Sequence, residues 1–159
     1  MEETGFALGG RALVLSATTG EIEQEYSTFA PYYAGLSFSP DGNYLGIGGR
    51  EGRMVVIDMV EKSVAVEVRA IEGGVNSLTF SPDGSVFAAG GWGTGLITLW
   101  NTESGECVGQ LRGHASTVGG LTFANDGKTL VSASHDQTVR VWDLESQKTT
   151  AILEGSLGG

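Results

Sequence analysis

An all-β fold built from repeated four-stranded units is what this chain of 159 residues predicts, and three observations predict it. One phrase is written three times, as SFSPDG at Ser37–Gly42, TFSPDG at Thr79–Gly84 and TFANDG at Thr122–Gly127, at intervals of 42 and 43 residues. Apolar and polar residues alternate through short runs around each copy, the two-residue period of a half-buried strand. Glycine, at 26 residues of 159, is about twice its average usage and punctuates those runs, as turns between many strands require.

Each element follows from its residues. The first full unit runs from Gly35 as GLSFSPDGNYLGIGGREGRMVVIDMVEKSVAVEV, the second from Ser77 and the third from Gly120. Leu36 and Phe38, Leu78 and Phe80, and Leu121 and Phe123 give the alternation of a first strand. Pro-Asp-Gly or Asn-Asp-Gly then makes a turn, the Asp bonding locally and the Gly taking positive φ. Second and third strands such as Thr129–Ala133 and Thr138–Trp142 are rich in small and β-branched residues. A fourth strand is expected at Val64–Val68, Cys107–Leu111 and Thr149–Leu153. No segment carries a helical period. Upstream, RALVLSATTGEIEQEYS from Arg11 aligns on RMVVIDMVEKSVAVEVR from Arg53 at an offset of 42. Phe6–Leu8 thereby falls on a second strand, so the chain opens inside a unit whose first strand is missing.

The third unit also carries Gly113-His114 early, Asp126-Gly127 at the turn, Ser134 and Asp136, and Trp142-Asp143 late. This constellation, in repeats of about 42 residues, resembles the WD40 repeats of a β-propeller. The second unit keeps Trp100 but has Asn101 for the final Asp, and the first has Ile57-Asp58. The resemblance covers nearly all of 6–153 and implies one propeller segment of about 3.75 blades: a partial blade at 4–28 and blades at 33–69, 75–112 and 117–154.

His114, Ser134 and Asp136 hold the ingredients of a nucleophilic triad. The resemblance implies a structural reading instead: Trp142 donates to Ser134, Ser134 to His114 and His114 to Asp136, in a buried network tying the strands of one blade together. Such groups are costly to bury unpaired, and no Gly-X-Ser-X-Gly elbow is present. At the matching positions the other units have Gly49 and Glu51, or Gly91 or Trp92 with Thr94, and Phe29 and Ile71 take the His position. Those blades are expected to rest on apolar packing alone, leaving the third the most rigid. Gly46, Gly48 and Gly52 nearly spell a phosphate loop, but the spacing is wrong and no helix follows, so a tight turn is the better reading. His114 and His135 are too few for a metal site, and Cys107 lacks a partner at ligand spacing. No cofactor is expected.

Functionally, the resemblance implies a protein- or peptide-binding face formed by loops entering the first strand and linking the second to the third. Carried over position by position, that face comprises Tyr32, Arg50, Asn76, Trp92, Thr117 and His135. Tyr, Trp and Arg are the residue types that anchor interfaces. Trp92, within Gly-Gly-Trp-Gly-Thr-Gly, reads equally as an exposed anchor or as a cap packed on the neighbouring blade.

Charge narrows the partner class. A formal net charge of −10, with no cluster of Lys or Arg, disfavours nucleic acid and anionic membranes. Glu21, Glu23 and Glu25 alternate onto one solvated strand face. The single Cys107 and the lack of an Asn-X-Ser/Thr sequon point to a reducing compartment, cytoplasmic or nuclear. No stretch approaches the roughly 20 apolar residues of a membrane span.

A non-catalytic interaction scaffold is the expected function. Alternatives are an accessory propeller domain of a larger enzyme of kinase or protease type, a self-assembling half-propeller, and a hydrolase. The blade count predicts an unclosed ring, a fragment of a longer propeller, with open blade edges available for self-association.

Overall fold

In the computed structural model, which describes residues 3–8, 11–27, 33–69 and 72–155, the chain is a run of antiparallel strands with no helix among the described residues. A partial blade holds β1 (Glu3–Leu8), β2 (Arg11–Ser16) and β3 (Ile22–Ser27). Blade 1 holds β4 (Tyr33–Phe38), β5 (Tyr44–Gly49), β6 (Arg53–Asp58) and β7 (Ser63–Arg69). Blade 2 follows with β8 (Val75–Phe80), β9 (Val86–Gly91), β10 (Ile97–Asn101) and β11 (Cys107–Leu111). Blade 3 ends the series with β12 (Val118–Phe123), β13 (Thr129–Ser134), β14 (Thr138–Asp143) and β15 (Lys148–Glu154). Within each sheet the strands pair in sequence order, and the innermost strands β4, β8 and β12 lie side by side along an incomplete ring.

The repeated phrase is the turn between first and second strands. In blade 1 the Ser39 hydroxyl and the Asn43 amide both donate to Asp41 Oδ1, at 2.6 and 3.0 Å. Ser81 and Ser85 do the same to Asp83, at 2.6 and 3.1 Å. The glycine closing each turn has φ near +70°, a conformation that costs other residues strain: Gly42 +75°, Gly84 +72°, Gly127 +64°. Every full blade also repeats two register shifts, one early in the first strand and one between third and fourth strands. An extra residue on one strand is a β-bulge, which turns a side chain out of the pleat.

Packing between blades forms the core. Between the partial blade and blade 1 lie Ala12, Val14, Leu45, Ile47 and Ile57. Between blades 1 and 2 lie Met54, Val56, Val75, Leu78, Phe80, Phe87 and Trp100. Between blades 2 and 3 lie Ala88, Ile97, Leu99, Leu111, Val118, Leu130 and Trp142. One face of each blade thus packs backward and the other forward, which is why β5, β9 and β10 are buried almost throughout. Gly46 and Gly48, the near phosphate loop, lie in β5; a Cβ on either would strike Leu78 or Val75 of blade 2. They are packing glycines, and Gly52 is the turn (φ +76°).

Candidate functional site

Two groups of residues bear on function: those expected on a binding face at one end of the strands and, behind them, the networks that hold the blades. In blade 3 the network is complete. Trp142 Nε1 donates to Ser132 Oγ at 2.8 Å, Ser132 Oγ lies 2.7 Å from His114 Nε2, and His114 Nδ1 lies 2.8 Å from Asp136 Oδ2. An indole nitrogen can only donate. Ser132 therefore accepts from Trp142 and gives its own proton to Nε2, which leaves the imidazole proton on Nδ1, facing the carboxylate. Asp136 is further held by the amides of Ala115 and Thr138 and by the Thr138 hydroxyl, at 2.9, 2.9 and 2.7 Å. Burial pushes the Asp136 carboxyl up, but the Ala115, Thr138 and His114 hydrogen bonds outweigh it and hold the group well below the usual carboxylate range.

The serine of this network is Ser132, not the expected Ser134. In the β13–β14 register Trp142 faces Leu130 and Arg140 faces Ser132. The indole reaches diagonally across one pleat to Ser132, and Ser134 stands one pleat further along the same face. Ser134 instead donates to the Ser116 carbonyl at 3.2 Å and accepts the Asp136 amide at 3.1 Å. A nucleophilic triad does not assemble on Ser134. The serine that does meet His114 is 1% exposed, with its proton and a lone pair already spent.

Nor does blade 2 rest on apolar packing alone. Trp100 Nε1 donates to Thr98 Oγ1 at 2.8 Å, and Thr98 is fully buried. Thr98 corresponds to Arg140 of blade 3, whose guanidinium instead lies 5.9 Å from the Trp142 ring centroid. The sequence signal for Thr98 was its place two residues before the Trp, on the same strand face. Phe29 and Ile71, at the His position of the earlier units, lie outside the described residues.

The six expected face residues fare differently. Tyr32 lies outside the described residues. Arg50, Trp92 and His135 are exposed at the turns from second to third strands. Trp92 is 45% exposed, and the Arg50 guanidinium carbon lies 5.4 Å from its ring centroid, a cation–π pair bridging blades 1 and 2. Beneath the pair the loops meet backbone to backbone: Trp92 N donates to Gly74 O at 2.9 Å. Gly74 has φ +128°, and a Cβ there would strike the Arg50 carbonyl. Thr117 and Asn76 do not stand free on the surface. Thr117 is buried, and its hydroxyl accepts the Gly93 amide at 2.8 Å. Asn76 is the extra residue of the β8 bulge, which turns it sideways so that its amide donates to Val118 O of blade 3 at 3.2 Å. Both residues join blades.

Among the described residues no group of His, Cys, Asp and Glu could hold a metal ion, and no helix is long and apolar enough to cross a membrane.

Comparison with known proteins bears on the same residues. The family model "WD domain, G-beta repeat" matches 66–101 and 105–143. The chain is 27% identical to the anaphase-promoting complex subunit cdc20 of Dictyostelium discoideum, over 88% of this chain and 28% of that protein. It is 29% identical to an uncharacterized WD repeat-containing protein of Synechocystis, over 90% of this chain and 41% of that one. It is 40% identical to lissencephaly-1 homolog 1 of Paramecium tetraurelia, over 38% of this chain and 15% of that protein. The chain thus spans less than half the length of these relatives. Repeated four-stranded sheets, the Trp142–Ser132–His114–Asp136 network and the matched repeats agree: the chain belongs to the WD40-repeat family of β-propeller proteins.

Proposed function

We propose that the chain is a non-catalytic interaction scaffold that takes a protein or peptide partner on the face carrying Arg50, Trp92 and His135. The observation that carries this reading is Trp92. A large aromatic stands 45% exposed on a loop whose Gly93 amide is held by Thr117 at the entry to the neighbouring blade, with a guanidinium beside its ring. A Trp side chain, with two rotatable bonds, loses little entropy on docking, and Trp and Arg are both enriched among interface anchors. The buried network of blade 3 is read as structural, because Ser132 is buried where no substrate reaches it and its oxygen already accepts the Trp142 indole proton. The similarity to WD repeat proteins supports a scaffold role.

A quantitative pull-down tests it, comparing the chain with Trp92→Ala and Arg50→Ala at matched thermal stability. Loss of a central aromatic anchor weakens capture by about 30-fold, the equivalent of roughly 2 kcal/mol. Undiminished capture by both variants would refute the face.

A further inference from the structure

The opposite end of the blades, where the Asp-Gly turns lie, carries a second feature independent of that reading. Where blades 1 and 2 meet, an open cavity of about 400 Å³ is lined by Asp41, Tyr44, Asp83, Asn101, Thr102 and Glu103, among others. None of its lining residues is basic. Local hydrogen bonds, from Ser39 above all to Asp41 and from Ser81 above all to Asp83, keep both carboxyls below their ordinary range and hence ionised. The negative field is felt by Tyr44. Its phenol is pushed up by burial and then by the charges of Asp58, Glu103 and Asp41.

Thr102 explains why the cavity is here. The residue after the third strand donates its amide to the same turn in every full blade: Met59 to Asn43 O, Thr102 to Ser85 O and Leu144 to Lys128 O. Met59 and Leu144 are apolar and pack into their seams. At the seam between blades 2 and 3, the cavity around Leu144 is about 190 Å³ and bounded by Val86, Leu99, Val108 and Phe123, with Asp83, Ser85 and Gln147 at its polar side. Thr102 at the equivalent place is shorter and polar. It is 1% exposed, and its hydroxyl has no hydrogen-bond partner in the protein. An unpaired buried hydroxyl costs stability unless something outside the chain satisfies it.

We propose that this cavity is a recognition site for a guanidinium group, supplied as an arginine side chain of a protein partner. The acceptors sit on three turns from two blades, and no three carboxylates approach closely enough to hold a metal ion. A compact point charge therefore reaches only part of the set. A planar guanidinium presents five donors in a rigid fork and spans dispersed acceptors. The site lies at the other end of the strands from Arg50, Trp92 and His135, so one can fail without the other.

The test is an NMR titration of the full chain with the blocked peptide acetyl-Gly-Arg-Gly-amide, its lysine and citrulline counterparts, and free arginine. The arginine peptide shifts the amides of 43–44 and 101–103 and binds tightest; citrulline, which keeps the shape without the charge, binds about tenfold weaker or less well still. Thr102→Leu plugs the seam as Leu144 does, so binding falls at least about tenfold while Tm rises. Glu103→Gln on the exposed turn gives a loss of binding without any change in packing. Equal binding of citrulline, shifts confined to other turns, or undiminished binding by both variants overturns the site. Free arginine binding as tightly as the blocked peptide overturns the assignment to a protein partner.

Discussion

Blades 2 and 3 bury the same residue at the same place and satisfy it differently. Trp100 and Trp142 both stand next to last in the third strand, face the preceding blade and hide an indole N–H. Trp100 needs one neighbour, Thr98, two residues away on its own strand. Trp142 draws in Ser132 from the adjacent strand, His114 from the segment before β12 and Asp136 from the turn after β13. The Thr98 bond is local and fastens nothing beyond β10. The Ser132 network ties three separate segments and ends on a charge, so its parts stand or fall together. A family signature can thus be lost from one blade without leaving an unpaired donor, provided a hydroxyl stands on the same face within reach.

Substitutions can break that contrast. The largest effect is expected for His114→Ala, which leaves the Asp136 carboxylate and the Ser132 hydroxyl without their partner. A loss of about 3 kcal/mol in urea unfolding is the expected result. Ser132→Ala, which strands both the Trp142 indole and His114, is expected to cost about 2 kcal/mol, and Ser134→Ala only about 1 kcal/mol or less. The reverse order would restore Ser134 to the network. Thr98→Val, nearly isosteric, unpairs a single buried donor and should cost about 1 kcal/mol, below Ser132→Ala. Equal costs at the two sites would erase the difference between local and networked satisfaction.

Acid sharpens it further. The Asp136 carboxyl is held below its unfolded-state value, so its contribution is complete above about pH 4 and is lost as pH falls below that. The stability gap between the wild type and Asp136→Asn, followed by thermal melts, should therefore narrow as pH falls below about 4. A gap that stays constant with pH would show that the charge adds nothing. The smallest effect is kinetic: the Trp142 indole proton should exchange with deuterium more slowly than that of Trp100, since its acceptor is tied into more segments.

Much of the fold was legible because it is periodic. The intervals of 42 and 43 residues fix the unit, Leu36 and Phe38 mark a strand, and Asp41-Gly42 marks its turn. These signals need only neighbours in sequence. Ser132 was missed because Ser-Ala-Ser offers two hydroxyls on one face, and only the β13–β14 register says which lies diagonal to Trp142. For Thr117 and Asn76, expected on the binding face, a neighbouring blade and a bulge, neither visible in a single unit, bury the first and turn the half-buried second toward Val118.

By itself, then, the sequence determined the repeat, the strands and the turns between them, all set by local periodicity and backbone preference. The tertiary structure alone decided which hydroxyl holds each tryptophan, that Arg50 lies over Trp92, and that Thr102 leaves one acidic seam open. Those depend on distances across strands and between blades, where a shift of one pleat, or the change from Leu144 to Thr102 at equivalent positions, alters what meets what.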